Sequence, residues 1–225
     1  MGDDWKLPSW MDLVLTIVMA LAAVGTAWAG FQSAKWSGFQ AIAFAEAGAA
    51  RTESAKAATD AGQDRLKDLV AYTSWIGALQ EEIIAGTSPR PEGDYVPDSD
   101  EVSGFLYERF RPEFKPAVDG WVATHPLVNA AAPATPFDMP EYTLESEALA
   151  DELVAKAEAA TAEAHANNQR SDNYVFMAVV LALALFFAGV AGRMRTRRSQ
   201  WILSGAAVAT FLGAAVVILA LPKTF

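Results

Sequence analysis

Residue types able to do chemistry are few in this chain and poorly placed for it. There are two histidines, His125 in "ATHPLV" and His165 in "AEAHANNQ", and no cysteine. Thiol nucleophiles, thiolate metal sites and a disulfide scaffold are therefore excluded. Neither histidine has a second His, or a His or Glu three or four residues on, as zinc would need. His125 reads as a helix-end residue. His165 reads as a hydrogen-bonding group on a helix surface, near Gln40. Four acids, Asp94, Asp98, Asp100 and Glu101, share one loop. Oxygen-rich loops can hold calcium, but the spacing is not that of an EF-hand. Helix capping explains the acids, with Asp98 and Glu101 as a capping box. The stretch "RFRPEFKP" places Arg109, Arg111 and Lys115 among aromatics. It suits an anion or a partner's acidic surface, or else ion pairing with Glu108 and Glu113 around a core of Phe110 and Phe114. No G-x-S-x-G, Walker A, G-x-G-x-x-G or H-E-x-x-H motif occurs. These residues point to no catalytic centre, no cofactor and no metal.

The elements that carry these residues are set by hydropathy. Residues 13–31, 174–192 and 201–222 contain no charge. Each run approaches the ~20 residues that a helix needs to cross a bilayer core. The formal net charge of −10 is unevenly distributed. Residues 32–173 hold eleven Lys/Arg against twenty-four Asp/Glu, and the rest of the chain is basic. Arg193, Arg195, Arg197 and Arg198 crowd the link 193–200, which the positive-inside rule makes cytoplasmic. It follows that 1–12 is a cytoplasmic N-terminus, 32–173 is extracytoplasmic, and the C-terminal residues 223–225 end outside. An acidic outer segment excludes a general nucleic-acid binder and does not cling to anionic lipid heads. The absence of N-x-Ser/Thr sequons and of cysteines suits a bacterial plasma membrane. Ala27-Trp28-Ala29 resembles a signal-peptidase site. The long apolar run and its leader, with one lysine against two aspartates, favour a retained anchor instead.

The outer segment reads as helix, cap, helix. From Gln32 to Ala85 there is no proline, and good helix formers dominate, so the first span continues outward as a stalk helix over 32–85. Leu66, Leu69, Val70, Thr73, Ile76, Leu79 and Ile83 form an apolar stripe that needs a cover. Residues 86–141, opened by "GTSPRPEGDYVPDSD", form a membrane-distal cap that could supply it. Within the cap, Phe105, Leu106 and Phe110 mark one short helix. A second starts near Pro116, and "AAAPATPFDMPEY" is an extended return. Residues 142–173 form a return helix that leads into the second span. The expected architecture is all-α: three transmembrane helices, the first two extended as an antiparallel stalk, with a small helical cap. In the stalk Ala43, Ala47 and Ala50 face Ala157, Ala160 and Ala164.

Around the outer membrane boundary, "TAWAGFQSAKWSGFQAIAF" sorts into two faces. Trp28, Gln32, Trp36 and Gln40 share one stripe; Gly30, Ala34 and Gly38 lie on the other side. Trp10, Trp28, Trp36 and Trp201, with Lys35, read as interfacial anchors. The flat glycine–alanine face suits a close neighbour, either the return helix near Arg170 or another subunit. Gly205, Ala209 and Gly213 make a similar stripe on the third span.

The ordered set "FQSAKWSGFQ", "AEAGAARTES", "ERFRPEFKPA" followed by Trp121, "PFDMPEY", "NNQRSDNYV" and "ALFFAGVAGRMRTRR" resembles a family of uncharacterised bacterial three-span membrane proteins. The resemblance implies an inner-membrane protein and no activity. The residues themselves lead to two expectations. One is a non-enzymatic, self-associating scaffold or sensor that presents its acidic outer segment to an extracytoplasmic partner. The other is an oligomeric pore, wide or hydrophobically gated, with Asp12 at a mouth. The spans carry no Asp, Glu, Lys, Arg or His, which disfavours a proton-coupled pump.

Overall fold

The computed structural model of the chain describes residues 8–88 and 95–224. Asp94 and residues 1–7 of the N-terminal segment lie outside the described residues, as does Phe225. Five α-helices occur in order: α1 (Ser9–Ala85), α2 (Val102–Tyr107), α3 (Lys115–Ala123), α4 (Glu145–Ala191) and α5 (Arg197–Ala220), with a 3₁₀ turn at Pro136–Asp138 before α4. All regular structure among the described residues is helical. Helices α1, α4 and α5 are each long and apolar enough to cross a membrane.

Local chemistry sets the breaks. Helix α1 stops where Gly86 takes a left-handed conformation, φ 77°. There the Gly86 and Thr87 amides donate back to the Ile83 and Glu82 carbonyls. Helix α3 starts with a proline in its first turn and ends at Thr124. His125 follows in the left-handed region at φ 56° and donates its amide to the Val122 carbonyl. Helix α5 is capped by the Thr196 hydroxyl, which accepts from the Ser199 amide.

The chain divides into two compact units, Met1–Gly48 with Ala157–Phe225, and Ala49–Lys156. In the first, inward residues recur along α1 at three- and four-residue steps, alanines alternating with a few large side chains. Leu15 packs with Ala188, Ala191 and Ala207. Farther along α1, Ala22, Ala29 and Trp36 pack with Tyr174, Leu181 and Ala214. Large residues such as Phe176, Leu183, Phe186, Ile202 and Leu219 face outward. Buried alanines such as Ala22, Ala29, Ala184, Ala188 and Ala214 let helices approach closely, which suits lipid as solvent, because lipid leaves close van der Waals contact as the main source of helix association.

The second unit has an aromatic core. Trp75 and Leu79 of α1 are buried with Tyr107, Phe110, Phe114, Val118 and Trp121. Trp75 meets Tyr95, Phe110 and Trp121 edge-on at centroid distances of 5.6, 5.7 and 6.4 Å. Gly104 is required in α2, since a Cβ there would overlap the Asp98 carbonyl. Lower on α1, Ala50, Ser54, Ala57 and Ala61 are buried, and the Ser54 hydroxyl donates to the Ala150 carbonyl at 3.0 Å.

The covered stripe of α1 in this unit keeps only the later part of the apolar stripe expected from hydropathy, where Ile76, Leu79 and Ile83 pack in the core. Leu66, Leu69 and Val70 are exposed, and Thr73 with them. The buried positions are Asp68, Trp75, Leu79 and Glu82. Two carboxylates can occupy that face because the rest of the unit brings their partners. Trp75, the largest side chain in the core, fixes the rotation of the helix. Phe105 likewise stays outside the core, with the Arg109 guanidinium 3.4 Å above its ring.

Candidate functional site

Asp68 is the centre of the main polar constellation. It is almost fully buried on α1. The guanidinium of Arg111 donates to it twice, at 2.9 and 3.2 Å, and the Tyr142 hydroxyl donates at 3.2 Å. The same guanidinium reaches Asp64 at 3.2 Å and Glu113 at 2.9 Å. The side-chain hydrogen bond to Asp68 is the largest influence on Arg111 and raises its pKa. Burial, and then the Asp68 charge, push the Tyr142 hydroxyl up to about 12. A planar guanidinium with donors fanned in one plane suits three carboxylates at once. All the ionised partners here are engaged with one another, so the arrangement joins α1, the α2–α3 link and the segment before α4.

Glu82 makes a second connection. Its carboxylate accepts the Ser103 amide at 2.8 Å, the Ser103 hydroxyl at 2.6 Å and the Ser88 hydroxyl at 3.2 Å. Burial raises the Glu82 pKa, but the Ser103 and Ser88 hydrogen bonds outweigh it and leave the group below its ordinary value. A carboxylate from α1 thus serves the start of α2. The Asp98–Glu101 capping box expected there does not form. Asp98 instead accepts from the Asp100 amide at 3.0 Å, and Glu101 contributes no side-chain cap. In place of the sequence-local cap, the Glu82 carboxylate satisfies the Ser103 amide and ties the start of α2 to α1.

The basic cluster of "RFRPEFKP" is dispersed. Arg111 is held as described. Lys115 pairs with Asp119 at 3.0 Å and lies over the Tyr107 ring at 4.1 Å. Arg109 covers Phe105 and donates to its carbonyl at 2.9 Å. Near these residues Asp64, Glu113, Glu145 and Glu152 line an open acidic cleft of about 470 Å³. A cavity of about 20 Å³, enough for one water, lies among Trp75, Tyr95, Trp121 and His125. Among the described residues, the Trp75 indole N–H has no hydrogen-bond partner. Among the described residues, no group of three or more His, Asp or Glu is arranged to hold a metal ion.

In the first unit the boundary stretch forms a dock for the C-terminal segment. Gln32, fully buried, donates its side-chain amide to the Thr224 carbonyl at 2.8 Å. The Gln32 carbonyl accepts the Thr224 amide at 3.0 Å and its hydroxyl at 3.1 Å. The Trp36 indole N–H and the Tyr174 hydroxyl both donate to the Pro222 carbonyl, at 3.3 and 3.0 Å. The Arg170 guanidinium lies over the Trp36 ring at 4.6 Å. Ser33, Ser37 and Ser171 share hydroxyl contacts of 2.9 Å.

Thus the amide-bearing face of this stretch meets α4 and the C-terminal segment. Gly30, Ala34 and Gly38 are exposed, and a Cβ at either glycine would meet no atom within 4 Å. Trp36 is buried, so it does not present its ring as an outward anchor. Trp28 is half-buried, Lys35 is exposed, and Trp10 and Trp201 lie against one another at 6.2 Å. Gly205, Ala209 and Gly213 also face outward on α5. Asp12 is in the first turn of α1; Arg193, Arg195, Arg197 and Arg198 lie between α4 and α5 or at the start of α5, all exposed. His165 meets the Phe44 ring edge-on at 5.7 Å.

Sequence reading missed the docking role of Gln32 and the pairing of Asp68 and Glu82. A glutamine on a tryptophan stripe signals an unusual environment but not its partner 192 positions away. An acid at a heptad position of a covered stripe, as at Asp68, is the one signal that could have found the ion cluster.

No family model matches the chain, and no curated protein or solved structure matches it either. The resemblance described above therefore assigns no family.

Proposed function

We propose that this chain is a non-enzymatic scaffold or sensor of a bacterial plasma membrane. Its three spans anchor a stalk formed by α1 and α4, and the segment between those helices forms a cap that presents an acidic surface to an extracytoplasmic partner. The chain works as a self-associated assembly in the lipid bilayer, with no cofactor. The observation that carries this reading is that α1 and α4 are each one unbroken helix containing both a span-length apolar stretch and a long charged stretch. The antiparallel course is supported within each unit. Leu15 meets Ala188, Gly25 lies against Leu181, Ser33 meets Ser171 and Phe44 meets His165. In the second unit Ser54 meets Ala150, and Arg65 meets Glu147 at 3.0 Å.

The arginines at 193–198 support a cytoplasmic α4–α5 link, by the positive-inside rule. The chain lacks cysteine, so single cysteines report topology cleanly. In intact spheroplasts a membrane-impermeant maleimide should label Val128→Cys and leave Arg195→Cys unlabelled until the cells are opened. The reverse pattern overturns the orientation. Reproducible unitary currents from reconstituted protein, altered by Asp12→Asn, would replace the scaffold reading with that of a pore.

A further inference from the structure

Within the second unit, α1 carries two seams of the same period on opposite sides. One runs through Ala57, Ala61, Asp64, Asp68 and Trp75 and is covered by the unit itself, fully or in part. The other runs through Ala55, Thr59, Gly62, Leu66, Leu69 and Thr73, and every member is exposed. Its steps of four, three, four, three and four residues are those of a heptad seam, which a second straight helix can follow without drifting off. No seam position bears a charge. The two threonines are less polar than they look. The Thr59 hydroxyl donates to the Ala55 carbonyl at 2.8 Å, and that of Thr73 to the Leu69 carbonyl at 2.9 Å. Each donor is thereby spent on its own helix. A Cβ at Gly62 would meet nothing.

Lipid does not explain this apolar face. Lys56, Asp60 and Lys67 are exposed on the adjacent flank of the same turns, and the hydrocarbon core does not accept such a row. Leu66 and Leu69, exposed together on an uncharged stripe, suit a protein contact.

We infer that the Ala55–Thr73 seam of α1 is a homo-oligomeric interface, and that its occupant is the same seam of a second copy, packed parallel and in register. Spans inserted in one orientation bring every copy to the same height, so each seam residue meets itself. The residue sizes suit that match: small Ala55, Thr59 and Gly62 allow close approach, and Leu66 and Leu69 fill the interface beyond them. No seam position sets like charges against each other. Confinement to one bilayer raises the effective concentration, so a seam with only two large residues is sufficient. This inference rests on the membrane-anchored, self-associating reading above and specifies its contact.

The test is disulfide scanning of the full chain in native membranes, with copper phenanthroline as a permeant oxidant. Cysteine is placed singly at Thr59, Leu66, Leu69 and Thr73 on the seam, and at Asp60, Lys67 and Ser74 off it. The expected result is a species of twice the chain mass from the seam variants, at least five-fold more abundant than from the flanking ones. Adding Leu69→Glu to Thr59→Cys should abolish that species while monomer yield is retained, since Leu69 is exposed within the chain. Equal cross-linking around the helix overturns the proposal, as does no dimer from any seam position. An adduct whose mass is not a multiple of the chain would mean that another protein occupies the seam, and overturns it too. Because the oxidant crosses membranes, the pattern decides the seam even if the maleimide experiment reverses the topology.

Discussion

The Asp68 side chain has 1% of its surface exposed, and Arg111 and Tyr142 supply it with three hydrogen bonds. Removing Arg111 leaves the charge buried and unpaired, which costs about 3 kcal/mol or more. Arg111→Met should therefore make the unit open readily to limited proteolysis, and Asp68→Asn in the same chain should restore much of the resistance. If Arg111→Met alone leaves proteolysis unchanged, the cluster is not what joins these segments. Glu82 adds a pH dependence of known sign. Its folded pKa lies below the ordinary value of about 4.3, so its contribution is complete above that value and fades as the pH falls through the lower, folded one. Hydrogen exchange at the Ser103 amide should accelerate, relative to the intrinsic rate, as the pH falls below the ordinary glutamate range. Glu82→Gln should flatten that dependence and raise exchange at neutral pH.

Helix α1 is an element with a different partner on each side. Over the boundary stretch, its amide-bearing face holds the C-terminal segment through Gln32 and Trp36. Losing the Gln32 hydrogen bonds should cost about 1–3 kcal/mol of local docking. A nitroxide at Lys223→Cys should accordingly sharpen its spectrum in the Gln32→Ala background, whereas Gln40→Ala should leave it unchanged. Equal mobility in all three chains would mean that the segment is not held by Gln32. On the other side, Gly38 has open space for a larger side chain within the chain. Gly38→Leu should leave the thermal transition of the detergent-solubilised monomer unmoved and reduce self-association in lipid, read by energy transfer between labelled copies. A destabilised monomer would show that this face has a partner within the chain.

At the scale of the whole molecule, three apolar helices and an acidic segment divide the chain between two solvents. Span length, the charge imbalance and the crowding of arginines at 193–198 are one-dimensional properties, and the topology they imply is tested at that scale. Moving the four arginines of the link to neutral residues and adding four lysines after Thr224 should invert the maleimide pattern in a fraction of the molecules. A pattern insensitive to both changes would mean that the orientation is set elsewhere.

Helix content and the long uncharged runs follow from composition, because the absence of proline over 32–85 and the small residues at three- and four-residue steps are local matters. The rotation of each helix does not follow from them. Hydropathy favours Leu66 and Leu69 over Asp68 as an inward face, yet the face that carries Trp75 is buried. Only in three dimensions do Arg111, Tyr142 and Ser103 arrive to satisfy the carboxylates beside it. The tryptophan–glutamine stripe is in the same position. From sequence, Trp36 is an interfacial ring and Gln32 a polar neighbour. Their partners, Pro222 and Thr224, lie close to 190 residues away, and no local rule couples the two. Burial of a polar group is decided by whether a partner is present, and a partner distant in sequence is brought near only by the fold.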